Sequence, residues 1–378
     1  MNKRNMPLIV VIIVILILAG AYFGLNNQKN SETIKIGVIG TLTGAGAFQG
    51  QEEVRGIQIA VDEINSNGGI NGKKIEIIVE DSGTAAQKAV DAFNKLTEVD
   101  GAKYIIGDSW AATTVGLVPM ANQKGIILLS PATGLDQLTA EDMFLRTIPT
   151  TDSVMRALAE YAYTSMGSRK VGIIYQDNAY GSEHTTDFTK YFTALGGEIS
   201  GVEKIAMTQT DMHSELSKLW VNTPDTILNL HATGAMQGIP LRQAEELGIK
   251  VKWIGSYGTE NTPLVTQYEN NLTNGFTYPY FYDLNSNDSA IKSFITKYRT
   301  DYNAVPTFST VNSYDALKLI ALSIQVVGDD PLKVKDYMLT VKDYHGASGT
   351  FSFDKFGDVQ KHIFIKQIMN GMFVRLTE

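Results

Sequence analysis

Short apolar runs alternate with amphipathic stretches along most of this chain. IKIGVIG at 34–40 predicts a buried strand, and Val54, Ile57, Val61 and Ile64 then recur at spacings of three and four, one face of a helix. That helix should stop at Asn67-Gly68-Gly69, where glycine takes the left-handed conformation that ends helices. A strand at 74–80, a helix at 85–98, a strand at 104–107, a helix at 113–124 and a strand at 125–130 follow. MFLRTIP at 143–149 reads as a strand leaving this unit. A second series runs helix 153–166, strand 170–176, helix 181–195, strand 198–204, helix 211–220, strand 226–230, helix 235–247 and strand 251–255. The tail carries helices near 289–302 and 310–327, then short strands near 349–353, 362–368 and 372–376. Strands separated by helices imply parallel sheets covered on both faces, so the fold class is α/β with two doubly wound parallel-sheet lobes.

Composition agrees with two cores and narrows the chemistry. A chain of 378 residues exceeds what one hydrophobic core usually serves. The net charge is -8, and the first thirty residues contain only the cations Lys3, Arg4 and Lys29, so the remainder is more acidic still. An acidic body without a basic stripe excludes nucleic acid as a partner. Cysteine is absent, which removes disulfides, thiol catalysis, thiolate zinc sites and a lipid-modified N-terminal cysteine.

Residues 6–25 are uncharged and apolar on every face, and as a helix they would extend about 30 Å, the thickness of a bilayer's hydrocarbon. Lys3 and Arg4 before this run place the rest of the chain outside the cytoplasm. Two readings compete. Ala19-Gly20-Ala21 has the small-x-small form of a signal-peptidase site. The run is nevertheless longer than a signal core, and Tyr22 and Phe23 resemble an interfacial belt, which favours an uncleaved membrane anchor. Residues 1–25 are thus an anchor or signal segment and 26–32 a linker.

In an open parallel sheet, ligands bind beyond the carboxyl ends of the strands. That selects Thr41 to Gly46, Asp81-Ser82, Asp108 to Ala111 and Ser130 to Thr133 in the first series, and Asp177 to Tyr180, His231 to Thr233 and Ser256-Tyr257 in the second. The turn IGTLTGAGAFQG (39–50) is a candidate phosphate cradle, with Glu80 or Asp81 as a ribose-binding acid. It has no lysine or arginine, and Gly44, Gly46 and Gly50 give G-x-G-x-x-x-G rather than the dinucleotide spacing. Its free amides from Thr43 to Ala47 are expected to line a crevice instead. There is no G-x-S-x-G elbow and no H-E-x-x-H helix. The five histidines never pair at metal-ligand spacing; a surface role is expected for most, and a structural one for His231. No metal, cofactor or catalytic residue is expected. Trp110, Tyr180 and Tyr257 should each be exposed on a loop facing one crevice, and rings converging from two lobes suggest a sandwiching pocket. With no cation in these segments, a neutral or zwitterionic small molecule fits best.

Seven motifs occurring in order carry a resemblance. From IKIGVIGTLTGAGAFQGQEEVRGIQIAVDEINSNGGINGKKIEIIVED through YIIGDSWAATT, GIILLSPAT, FLRTIPTTD, IIYQDNAYG and LRQAEELGI to GTFSFDKFGD, the chain resembles the type I periplasmic binding proteins, in particular the Leu/Ile/Val receptor branch of ABC transport. The resemblance implies two lobes joined by a three-strand hinge, with crossovers near Thr147, Thr277 and Gln360. Lobe one would comprise 33–147 and 280–355, and lobe two 148–279 and 356–378. It also implies carboxylate binding at Ser109, Trp110 and Ala111, where relatives often have serine at Ala111. Ammonium binding falls at Ala132 and Thr133, and Tyr180 matches a tyrosine of the second lobe. Thr233 stands where amino acid receptors have a tyrosine, Tyr257 where they have the acid that pairs the ammonium, and Gln49 where an aromatic is frequent. Glu260 could replace the acid only with its loop remodelled. Loss of a charge-assisted hydrogen bond is worth about 1.5–3 kcal/mol, which weakens the case for an α-amino acid. The implied function is an extracytoplasmic solute-binding protein, monomeric, serving an ABC permease, with a ligand-sensing module acting on a membrane partner as the alternative.

Overall fold

The structure, a computed structural model, describes residues 33–377 except Ser109, Thr262 and Pro263. The apolar run 6–25, with its anchor and cleavage readings, lies outside the described residues. Among the described residues no helix is long and apolar enough to cross a membrane.

The first sheet consists of β1 (Ile34–Gly40), β2 (Ile75–Asp81), β3 (Tyr104–Gly107), β4 (Ile127–Ser130) and β5 (Phe144–Arg146), in the order β2-β1-β3-β4-β5. All its pairings are parallel. Apart from Lys35, every residue of β1 is buried, as expected for a strand covered on both faces. The covering helices are α1 (Ala47–Ser66), α2 (Ala86–Asn94) and α3 (Ala111–Lys124). The second series supplies α4 (Thr151–Thr164), β6 (Lys170–Gln176), α5 (Ala179–Ala194), β7 (Glu198–Ile205), α6 (His213–Val221), β8 (Thr226–Leu230), α7 (Gly234–Glu246) and β9 (Lys252–Gly255). Two single-turn helices, α8 (Leu264–Gln267) and α9 (Asn270–Thr273), lead to β10 (Thr277–Tyr280).

The tail divides its elements. α10 (Ser289–Tyr302) and α11 (Phe308–Val327) return to the first sheet, followed by α12 (Pro331–Thr340) and the antiparallel strands β11 (Tyr344–Gly346), β12 (Gly349–Phe353) and β13 (Val359–Lys361). Then β14 (Phe364–Met369) and β15 (Met372–Arg375) complete the second sheet, ordered β15-β14-β10-β9-β8-β6-β7. Only β14 is reversed there, so its pairings with β10 and β15 are antiparallel and the others parallel. α12 lies outside the expected elements, although Val334 and Met338, four apart, bury one face of it; its start is set by Asp330, which accepts from the amides of Leu332 and Lys333, with Pro331 in the first turn.

α1 starts at Ala47, well before its apolar stripe, so Gln49 and Gly50 are helical rather than part of a loop. Asp81 closes the preceding turn by accepting from the amides of Leu42 (2.8 Å) and Thr43 (3.2 Å) and from the Thr43 hydroxyl (2.6 Å). The Gly46 amide donates to Thr84 and the Ala47 amide to the Gly44 carbonyl. Of the amides expected to line a crevice, those of Thr43, Gly46 and Ala47 are therefore consumed locally. Ile57, Ala60 and Val61 of α1 pack with Ala316, Leu317 and Ile320 of α11 in one core. Gly56 permits this close approach, because a Cβ there would collide with the Thr310 carbonyl oxygen and lie 2.6 Å from Ser313 Oγ. Alanine would improve helix propensity by about 1 kcal/mol, yet overpacking against backbone costs about 1–3 kcal/mol or more. Gly56→Ala should accordingly lower stability in urea denaturation; a stabilised variant would show that the two helices separate freely.

Three segments connect the two sheets, after β5, after β10 and between β13 and β14. Lys361 binds them together. Its ammonium donates to the Thr147 carbonyl (3.1 Å), Asn312 Oδ1 (3.0 Å) and Ser348 Oγ (2.8 Å), and lies 5.7 Å from the centre of the Phe281 ring. Burial pulls its pKa down to about 7, against the pull of Asp315.

Candidate ligand cavity between the sheets

The carboxyl ends of β3, β4, β6, β8 and β9 face a common cleft of about 590 Å3, mouth included. From the first sheet come Trp110, Ala111 and Ala112 at the start of α3, and Ala132, Gly134 and Leu135 after β4. From the second come Asn178, Tyr180 and His184 around the start of α5, Ala232 after β8, and Tyr257 and Gly258 after β9. Gln49 of α1, Thr151 of α4 and Phe308 of α11 complete the wall.

Each aromatic is placed by a helix start. Trp110 is the extended residue before α3, where its carbonyl accepts from the amides of Thr113 (3.1 Å) and Thr114 (3.0 Å). Asn178 caps α5 by accepting from the Gly181 amide at 2.9 Å, which sets Tyr180 and His184 on the turn facing the cleft. Tyr257 opens a 3-10 turn and packs edge-on to Tyr180 (6.3 Å between centroids) and Phe308 (5.4 Å). The expectation of three rings exposed on loops is corrected: Trp110 is 8% and Tyr257 5% exposed, and Tyr180 is half-buried in α5 with its hydroxyl on Ser256 Oγ. The rings meet because helix starts carry them inward.

Other residues expected at a site go elsewhere. Thr133 is buried away from the lining; its hydroxyl pairs with Thr114 Oγ1 at 2.9 Å and its amide donates to Ser130 Oγ at 3.0 Å. Thr233 lines a smaller adjoining pocket with Phe48, Gln49 and Trp110 rather than the main cleft. Ser109 lies outside the described residues. Glu260 does not replace the missing acid: its carboxylate is paired with the Lys366 ammonium and accepts from the Tyr278 hydroxyl at 2.5 Å. Asp177 is an exposed partner of Lys204 at 3.2 Å. His231 is buried and structural, with Nδ1 2.6 Å from Asn229 Oδ1 and its carbonyl accepting from Gln237; burial pulls it down to about 4.

His184 departs from the expected surface role, being fully buried in the cavity wall. Its spacing of four from Tyr180 was the available signal, since such residues share a helix face. Phe308 was also missed, as it arrives from a distant helix. Among the described residues no acid, lysine or arginine lines the cleft. His184 is neutral, pulled down to about 3 by burial, and burial raises the hydroxyls of Tyr180 and Tyr257, which stay protonated. The wall is thus uncharged, and the N-terminus of α3 opens onto it. Beside it, the carboxylates of Asp136, Glu183 and Asp187 lie within 4.8 Å of one another. Burial, with Asp187 close by, pushes Asp136 up to about 7.

The periplasmic binding protein family matches residues 33–371, nearly all of the described chain. The chain belongs to that family. Its two parallel sheets and three connections are those of the type I periplasmic binding fold. The leucine-, isoleucine-, valine-, threonine- and alanine-binding protein of Pseudomonas aeruginosa is 23% identical over 339 residues, covering 88% of this chain and 89% of that protein. Among solved structures, the branched-chain amino acid transporter substrate-binding protein of Streptococcus pneumoniae, in complex with isoleucine, superposes with a TM-score of 0.83 at 25% identity, covering 92% of this chain and all of its own. A leucine-binding protein of Thermotoga maritima has the same TM-score at 22% identity, covering 91% of this chain and 98% of that one. Periplasmic binding proteins of this family are solute-binding proteins related to the substrate-binding components of ABC transporters, and the family implies an extracytoplasmic location.

Proposed function

We propose that this periplasmic binding protein captures a small amino-acid-like or neutral organic ligand between two closing lobes, outside the cytoplasm, and delivers it to an ABC permease. The expected lobe bounds shift with the strand pairing, since β13 pairs with β12 and β10 with β14: the lobes are read as 33–147 with 281–361, and 148–280 with 362–378. A monomer held at the membrane by residues 6–25 suits that role. The observation that carries the reading is the uncharged aromatic cleft whose walls come from both sheets. A ligand touching both walls favours the closed arrangement by its differential affinity, with Lys361 keeping the three connections in register. We read the wall of alanines, protonated tyrosines and a neutral imidazole as a binding surface, in keeping with the solute-binding proteins of the family.

The test is a thermal-shift screen of the full chain in mild detergent against amino acids, amides and small organic acids, since a ligand of the folded state raises the melting temperature. Trp110→Ala and Tyr180→Ala should each weaken the best ligand at least about tenfold, or 1.4 kcal/mol. Normal binding by both variants would move the site elsewhere, and a panel without a single shift would remove the solute-binding reading.

A further inference from the structure

One polar atom in the cavity wall lacks the partner that burial requires. His184 Nδ1 lies 2.8 Å from the Tyr180 backbone carbonyl, one turn back in α5. A carbonyl only accepts, so Nδ1 carries the proton and the far end of the ring, Nε2, is left as a bare acceptor. His184 is 0% exposed, lines the cavity, and its Nε2 has no hydrogen-bond partner among the described residues. The Tyr180 ring, 4.0 Å away, and the Tyr257 ring, 5.7 Å away, hold the imidazole in this orientation. Buried acceptors in native proteins are satisfied, so the missing donor belongs to whatever fills the cavity.

Across the cleft, α3 begins at Ala111 with no side chain capping it. The amides of Ala111 and Ala112 belong to the first turn, which has no carbonyl of its own helix to bind, and both residues line the same cavity. This end attracts an oxygen carrying negative charge or partial charge.

The two features select a ligand by its charge. A carboxylate would bring a full charge into a wall without a cation. An ammonium would need an acid, yet Glu260 is held by Lys366, and Glu183 already accepts from the Asp136 amide at 2.6 Å. A simple alcohol satisfies His184 but offers no carbonyl to α3. We propose that the ligand is a small uncharged carboxamide, its N–H donated to His184 Nε2, its carbonyl oxygen at the α3 N-terminus and its apolar tail among Trp110, Tyr257 and Phe308. This rests on the solute-binding reading and names the ligand class of the same cavity.

Calorimetric titration of the full chain with matched sets tests it: benzamide and isovaleramide, against benzoate, isovalerate, benzylamine and leucine. The amides should bind at least tenfold tighter than their charged counterparts. His184→Phe keeps a ring and removes the acceptor, and should cost an amide at least tenfold. His184→Gln offers an acceptor again and should recover part of that loss, which a purely structural role would not produce. Should His184→Phe fail to fold by circular dichroism, the amide preference of the native chain and the His184→Gln affinity still decide. Tighter binding of benzoate, isovalerate, benzylamine or leucine overturns the carboxamide class and leaves the solute-binding reading standing. Unchanged amide affinity in a folded His184→Phe removes His184 from recognition. If no compound here or in the broad screen binds, both readings fall.

Discussion

Asp358→Ala should destabilise the protein by about 3–5 kcal/mol, one of the two largest effects of any single side chain considered, because it strands a buried guanidinium. Arg146, at the end of β5, is 0% exposed. Its Nε donates to Asp358 Oδ1 at 2.6 Å, one Nη to the Leu135 carbonyl at 2.7 Å and the other to Thr139 Oγ1 at 2.7 Å. The Thr139 hydroxyl in turn donates to Asp358 Oδ2 at 2.7 Å, so the carboxylate serves both donors. The network joins the segment that shapes the cavity at Leu135 to the turn before β13, more than two hundred residues on. Urea denaturation measures the loss. Replacing both partners, Arg146→Met with Asp358→Leu, should recover much of it, since neither charge then remains buried. A single-variant loss below about 1 kcal/mol would mean that water reaches the guanidinium and the site is not sealed.

Glu260→Ala should produce a loss of similar size, about 3–5 kcal/mol, and leave ligand affinity unchanged. The side chains of Lys366 and Glu260 are 4% and 5% exposed, and the Tyr278 hydroxyl donates to the same carboxylate. Burial pushes the Glu260 carboxyl up while Lys366 opposes it, so removing either partner leaves the other without compensation. Stability from denaturation and affinity from calorimetry separate the two roles. If affinity fell at full stability, Glu260 would be the ligand's ammonium partner and the uncharged cavity would be misassigned. Double substitution with Lys366→Met should again soften the loss.

These predictions rest on residues that differ in how far their neighbours lie along the chain. Trp110, Ala111, Ala132, Tyr180 and Tyr257 were legible because a parallel sheet puts every strand's carboxyl end on one side, so local pattern alone picks the residues that follow. The strands 34–40, 104–107, 170–176 and 226–230 and the helix 289–302 fall where periodicity put them, since burial on both faces leaves an unbroken apolar run. Thr133 was placed at the site by its position after β4, but its hydroxyl turns to Thr114, a partner nineteen residues earlier. The amides of Thr43 and Gly46 looked free because their acceptors, Asp81 and Thr84, belong to the next strand end.

By itself the sequence determined the alternation of strands and helices, the two-lobed α/β class, the family, and the absence of any cation in the segments around the cleft. Each follows from local composition or from motif order, which need no knowledge of distant contacts. Only the tertiary structure decided that Glu260 is spent on Lys366, that Arg146 is sealed by Asp358, and that His184 turns inward with one nitrogen unpaired among the described residues. Those outcomes depend on which buried polar atom finds a partner, and a partner a hundred or two hundred residues away carries no local pattern.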